Sequence, residues 1–385
     1  MKIIEVNNKK SWRLFHQVLD KVYQDDSNYI HPLQHEIEQV FDPKHNKTLQ
    51  DGTAKCFVLL DDQHQAVGRI AAFIDHTNQK PPFKTGGIGF FECIDQPEYV
   101  ALLFDMAEQY LKDQDIALVD GPVNFGERDR FWGLLVKGYD PPLYQENYHP
   151  AYYEQYFLDR NYVPFEQILT YKGASKKIPF QRLAAIAKRL HERHPVEVRP
   201  LNFKRLDEFA QDFSVVYNAS FKQFPHFKPI SGEQVKHIME QAKPIADPGI
   251  ACIAYYEGNP AGFIALYPDI NPFLKHAKGK LNWMSIPGFL WKNHFAKTKT
   301  AKGMGFGIHP EYQSKGIFAL LVDYLCTPEN LQKYPYMCLA QIRTHNHEIR
   351  SMYDKLEVEI DRVHVAYRKA LRPEAKIEPF EFIEV

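Results

Sequence analysis

The sequence predicts a mixed α/β fold in which one unit of strands and helices occurs twice in tandem. Three observations carry this. Apolar runs of strand length alternate with stretches of helical period along the whole chain. Two paired-strand segments match, CFVLLDDQHQAVGRIAAFID from Cys56 and CIAYYEGNPAGFIALYPD from Cys252, with Asp75 seven positions after Gly68 and Asp269 seven positions after Gly262. At 385 residues the chain also exceeds the size at which one core usually suffices. A further pairing sets Asn147 and the Tyr-rich run PAYYEQYFLDR against Asn346 and NHEIRSMYDKLE.

Composition narrows the function classes. A hydrophobic share of 44% with 25% charged residues is ordinary for a globular protein. The formal net charge of −1 argues against a nucleic-acid-binding surface as the main business. No apolar run reaches the roughly 18–20 residues of a membrane span, and the first residues lack the apolar core of a signal peptide. The five cysteines are scattered without a Cys-x-x-Cys and read as buried, reduced thiols, which points to the cytoplasm.

Residues 1–175 form the expected first unit. A short strand at 2–6 precedes a helix carrying Trp12, Phe15, Val18, Leu19 and Val22 at helical spacing. Residues 55–75 read as two strands around a turn at 61–65. A Lys-, Pro- and Gly-rich loop, a strand at 88–94, a helix at 98–111 and a strand at 116–119 follow, then the loop GPVNFGERDR with Asn124. Residues 176–195 read as a linker helix stopped by Pro195. The second unit is expected over 196–371, with helices near 206–217 and 232–241 and a lid-like insertion over 275–302 that contains Trp283, Pro287 and Trp291. Residues 372–385 read as a tail.

The chemistry concentrates in residues 303–325, GMGFGIHPEYQSKGIFALLVDYL. A strand, a turn holding Gln313, Ser314, Lys315 and Gly316, and a helix with apolar residues at Ile317, Leu320, Leu321 and Tyr324 place free backbone N–H groups and a helix N-terminus at one point. That arrangement suits a phosphate or pyrophosphate. After a buried-strand run at 336–342, Asn346 stands at a helix start and Tyr353 two turns further on the same face.

Asn346 with Tyr353-Asp354-Lys355-Leu356 resembles the Asn…Tyr-x-Lys-Leu segment of the GCN5-related N-acetyltransferase (GNAT) superfamily, and Gln313 with Gly316 resembles its pyrophosphate loop. The segments GRIAAFID, GPVNF and PEYQSKGI also resemble those of a bacterial group of tandem proteins of this kind. The resemblance implies tandem acyl-CoA N-acyltransferase-like folds that take acetyl-CoA or another acyl-CoA as co-substrate, without a metal. It implies that Gln313, Ser314, Lys315, Gly316, Ile317, Phe318 and Ala319 hold the pyrophosphate and that Asn346 contacts the pantetheine arm. The Ile308 backbone would then polarise the thioester carbonyl, and Tyr353 would protonate the departing sulfur. Asp269, Asn271 and Asn124 are the weaker expectation for an acceptor pocket that takes a small-molecule or peptide amine. His309, Glu348 and His226 are candidate bases by residue type. Phe318 departs from the superfamily's usual Gly or Ala, and Glu357 from its usual Gly. In the first unit Asp95-Gln96-Pro97 stands where the phosphate loop belongs, with no glycine, so that unit is expected to be degenerate and to wall the substrate cleft. Two other readings stay open: an aminoacyl or long-chain acyl transferase of tandem type, and a non-catalytic ligand-binding or scaffold protein.

Overall fold

The computed structural model describes residues 1–385 except 78, 80, 81, 129, 224–226, 228, 281–297 and 384–385. The first half runs β1 (Lys2–Glu5), α1 (Lys9–Val22), α2 (Gln34–Val40), α3 (Lys47–Gln50), β2 (Gly52–Leu60), β3 (Ala66–Asp75), β4 (Thr85–Cys93), α4 (Pro97–Asp113), β5 (Leu118–Gly121), β6 (Leu134–Lys137), α5 (Tyr153–Asp159) and β7 (Val163–Ala174). The second half runs α6 (Gln181–Arg193), β8 (Val196–Pro200), α7 (Leu206–Phe221), α8 (Gly232–Ala242), β9 (Ala251–Tyr256), β10 (Asn259–Pro268), α9 (Asn271–Leu274) and β11 (Thr300–Ile308). It ends with α10 (Ile317–Leu325), α11 (Pro328–Lys333), β12 (Tyr336–Cys338), β13 (Ile342–Arg343), α12 (His347–Tyr353) and β14 (Glu359–Ala370).

The duplication is visible in the packing. In β3 a Cβ added at Gly68 would lie 2.6 Å from Leu103 of α4; in β10 one added at Gly262 would lie 2.6 Å from Ile317 of α10. Both glycines let the helix that follows the next strand settle on the sheet. The Asn147–Asn346 pairing does not hold. Asn346 caps α12, with its side chain accepting from Ile349 N–H, whereas Asn147 lies ahead of α5 and donates to the Gly133 carbonyl at 2.7 Å.

One sheet runs through both halves in place of one per half. Its order, β1-β2-β3-β4-β5-β14-β7-β12-β11-β10-β9-β8, reads alike from either end. Each half supplies a last strand to the other: β14 pairs with β5 and β6, and β7 pairs with β12 and β13. The two exchanged strands pair with each other antiparallel at the centre. Among the described residues β4–β5 and β11–β12 pair parallel and the other strand pairs antiparallel, so the sheet is mixed. The largest buried cluster consequently draws on both halves, joining Phe91, Leu103 and Leu169 to Met337, Ile342 and Tyr353.

Two expectations are corrected at element boundaries. Residues 300–302, read as part of the insertion, are the first of β11. Trp283, Pro287 and Trp291 lie outside the described residues. The helix read as a linker, α6, buries Ala187 and Leu190 in one cluster with Ile317, Leu320 and Leu321 of α10. The tail docks on β7, where Gln167 and Ile383 exchange two hydrogen bonds of 3.1 and 3.0 Å. No described helix is long and apolar enough to cross a membrane.

Candidate active site

Between β11 and α10 the chain turns through a single 3₁₀ turn at Pro310–Tyr312 and two left-handed residues, Ser314 (φ 64°) and Gly316 (φ 84°), on either side of Lys315. Left-handed residues alternating with ordinary ones curl successive N–H groups into a concavity. Lys315 N–H bonds to Tyr312 O and Leu320 N–H to Gly316 O. The amides of Ser314, Gly316, Ile317, Phe318 and Ala319 find no acceptor among the described residues, and no side chain caps α10. Five open donors gather at the positive end of a nine-residue helix, an arrangement with the chemistry to suit an anion. The Lys315 ammonium lies 4.7 Å from the Tyr256 ring centre and 5.1 Å from that of Tyr312. Phe318 packs against β11, its ring 5.1 Å from that of Phe306.

From this corner a cleft runs between β11 and β12. The two strands pair only over Thr300–Lys302 and Tyr336–Cys338; beyond that β11 continues against β10 alone. The cleft closes at Gly303, where an added Cβ would meet Ala340 N at 2.6 Å, and opens at Gly305, where nothing lies within 4 Å. His309 N–H bonds to Ala261 O, so Ile308 and Phe306, opposite Gly262 and Ile264, turn their own backbone groups toward the open side. Between Gly303 and Gly305 the register slips, and Met304 is the extra residue of a β-bulge, 62% exposed.

Tyr353 is buried beside the closed end and donates to Ala340 O at 3.2 Å. Burial, and then Tyr171, raises its hydroxyl far above the ordinary phenol value. Ile308 lies five residues of strand away from Gly303, roughly 17 Å at about 3.4 Å per residue. The geometry therefore does not bring Tyr353 and Ile308 to one reacting atom. The missed feature is the bulge at Met304, and its signal in the sequence is the alternation Gly303-Met304-Gly305-Phe306-Gly307. Of the residues named as bases, His309 accepts from Glu311 N–H at 3.4 Å, Glu348 is exposed on α12, and His226 lies outside the described residues.

The corresponding corner of the first half is closed by its own chain. Pro97 opens α4 and has no N–H, Tyr99 and Val100 N–H both reach Gln96 O, and the Asp95 carboxylate accepts from Tyr156 at 2.6 Å. The β4 edge is occupied as well. Tyr153 accepts from Cys93 N–H at 2.7 Å, Tyr152 donates to Cys93 O at 2.9 Å, and Val123 N–H bridges back to Ile88 O.

Asp269 and Asn271 join the halves. Asp269 accepts from Tyr144 N–H at 3.0 Å and Asn271 donates to Pro142 O at 2.8 Å. Burial holds the Asp269 carboxyl up at about 6. Asn124 is buried apart from them, its carbonyl accepting from Phe125 N–H. A buried ion cluster beside Asp269 was not legible as a motif. Glu146 accepts from Lys302 (3.1 Å), Arg362 (3.0 Å) and Gln341 (3.2 Å). Burial raises the Glu146 carboxyl, and the two cations more than offset this, leaving it at about 2. Arg69 and Glu92 form a second buried pair at 3.8 Å, and burial raises Glu92 to about 7. The signal that could have found them is a charge inside an otherwise apolar strand, as in AVGRIAAFID and IGFFECI.

Residues 213–357 match the profile described as "Acetyltransferase (GNAT) family". The second half thus carries a GNAT-family domain, and the fold of the whole chain is shared end to end with a tandem GNAT structure. Among individual proteins the chain is 25% identical over 371 residues to Protein YghO of Escherichia coli (strain K12), covering 94% of each chain. It is 25% identical over 321 residues to Bacterial ceramide synthase of Caulobacter vibrioides (strain NA1000 / CB15N), covering 82% of each. The tandem GNAT protein from the clavulanic acid biosynthesis pathway aligns over 97% of this chain and 99% of that one with a TM-score of 0.57 and 9% identity, a likeness of fold.

Proposed function

We propose that the chain is an acyl-CoA-dependent N-acyltransferase with one cofactor site, in the second unit (residues 196–371), and that the first unit (residues 1–175) has lost its own. The single observation that carries this reading is the set of five open amides at Ser314 and Gly316–Ala319, matched in the first unit by a proline and acidic residues. The nucleotide diphosphate binds there, and Lys315 adds a cation. The pantetheine arm runs along the β11 edge, paired with the backbone of Ile308 and Phe306, so the thioester lies near the bulge. The backbone N–H of Met304, the residue without a partner in β10, donates to the carbonyl oxygen as it gains charge. Attack by the neutral amine forms the C–N bond and breaks the C–S bond; Tyr353, kept protonated by burial, gives its proton to the sulfur, and the proton released by the nitrogen, passed through solvent, restores the phenol. Asn346 stays a helix cap and orients α12, which carries Tyr353.

A second reading, transfer of a long acyl chain, is favoured by a specific observation. Met304 stands 62% exposed at the bulge, Phe306 two residues on packs its ring 5.1 Å from that of Phe318, and one relative is named a ceramide synthase. Thiol release from acyl-CoAs of increasing chain length, each with a panel of amines, tests both readings. The account predicts amine-dependent release of CoA, and the chain length giving the highest kcat/KM separates acetyl from long-chain transfer. Full acyl-CoA binding without release under any amine would favour a non-catalytic protein.

A further inference from the structure

The closed end of the cleft in the second half is held by a side chain of the first. Glu146, in the loop before α5, is 1% exposed in its side chain. Its Oε1 accepts from Lys302 Nζ at 3.1 Å and from Gln341 Nε2 at 3.2 Å, and its Oε2 accepts from Arg362 at 3.0 Å. Lys302 precedes Gly303 on β11, and Gln341 follows Ala340 between β12 and β13. Gly303 and Ala340 are the pair that meet where the cleft closes. One carboxylate oxygen therefore bonds to a chain neighbour of each. Ala340 also supplies the carbonyl that accepts from the Tyr353 hydroxyl at 3.2 Å. The same loop braces β11 a second time, since Lys302 Nζ donates to Tyr144 O at 2.9 Å and Tyr144 N–H donates to Asp269 at 3.0 Å.

Two further observations separate this tie from an ordinary buried ion pair. Burial raises the Glu146 carboxyl and Lys302 and Arg362 more than offset it, leaving it at about 2, so Glu146 stays charged and acts by geometry rather than by moving a proton. The tie also belongs to one cleft. Lys302 pairs with Tyr267 of β10 and Cys338 of β12. The matching place in the first half, between Phe73 of β3 and Asp120 of β5, is Gly87, which has no side chain to offer a carboxylate. The half with open amides is the half whose cleft is clamped.

We propose that Glu146 is a positioning residue that the first half lends to the site of the second: through Lys302 and Gln341 it fixes the gap between β11 and Ala340, and through Ala340 the place of the Tyr353 hydroxyl beside the thioester. This rests on the acyltransferase reading above and gives the half without open amides a part in the reaction. Q341M tests it, because it cuts one arm of the tie and leaves Glu146 both of its cations. Thiol release is measured from acetyl-CoA and palmitoyl-CoA, each with propylamine and with ethanolamine, in the native chain, Q341M, Y353F, the double variant and T170V, with CoA titrated calorimetrically in parallel. A misplacement of about 1 Å can cost on the order of 10²-fold, so Q341M is expected to lose at least about tenfold in kcat with CoA affinity and Tm unchanged. The double variant is expected to be no slower than Y353F alone, since a residue acting through Tyr353 has nothing left to lose. T170V removes the other Gln341 partner, at 3.4 Å, and is expected to keep the native kcat. The proposal is overturned if Q341M or Y353F keeps the native kcat, if the two losses multiply in the double variant, if T170V is as slow as Q341M, or if Q341M loses CoA affinity or Tm along with kcat. CoA binding without thiol release from the native chain would remove the acyltransferase reading and this role with it, whereas release by Q341M at the native rate would remove this role alone.

Discussion

Single residues in this protein act through what surrounds them. Glu92 accepts from the Tyr23 and Tyr153 hydroxyls at 2.8 and 3.0 Å, yet burial keeps its carboxyl at about 7. Because the folded value lies above the unfolded one, the native state holds a proton that the unfolded chain releases, and stability falls as pH rises from about 4.5 to about 7. Denaturant titrations across that range should show the fall in the native chain, on the order of 2–3 kcal/mol, and a much flatter profile in E92Q. An unchanged profile would mean that Glu92 is charged throughout. Asp269, at about 6, contributes in the same direction. Glu146 has the opposite sign: its folded value of about 2 gives stability that is full above about pH 4.5 and is lost as pH falls toward 2.

At the scale of elements, the strand–turn–helix at 303–325 and the capped helix at 347–353 were legible because their signals are local: glycine spacing, helical period and a polar N-cap. The twin glycines Gly68 and Gly262 were legible for the same reason. The bulge at Met304 was not, since a register slip is a property of two strands and only one is read at a time. Glu357 shows how a departure from a motif is absorbed. It takes φ 52° after α12, and Asn161 takes φ 62° after α5, so both halves keep a left-handed turn without glycine. E357G should therefore raise stability by about 0.5–1 kcal/mol in chemical denaturation, by removing the left-handed cost of a side chain. A destabilised variant would show that the Glu357 side chain makes up that cost elsewhere.

At the scale of the molecule, the halves are joined by exchanged strands and by buried charge. A sequence read for repeats does not reveal the exchange, because β7 and β14 are alike in pattern and each would satisfy either partner. Lys302, Glu146 and Arg362, each at most 5% exposed in its side chain, tie β11, the 144–149 loop and β14 together. K302M leaves Glu146 short of one cation and should cost about 3–5 kcal/mol, with one cooperative transition for both halves in calorimetry. Two separate transitions would show that the halves fold independently despite the shared sheet.

The same asymmetry between halves sets the central claim, that a nucleotide diphosphate binds the open amides before α10 and has no counterpart before α4. Calorimetric titration of the full chain with CoA, repeated with S314D, measures this most directly. The account predicts one site per chain in the native protein and at least tenfold weaker binding in S314D, which adds a carboxylate beside the open amides. Two sites per chain, no binding by the folded native protein, or equal affinity in S314D would contradict it.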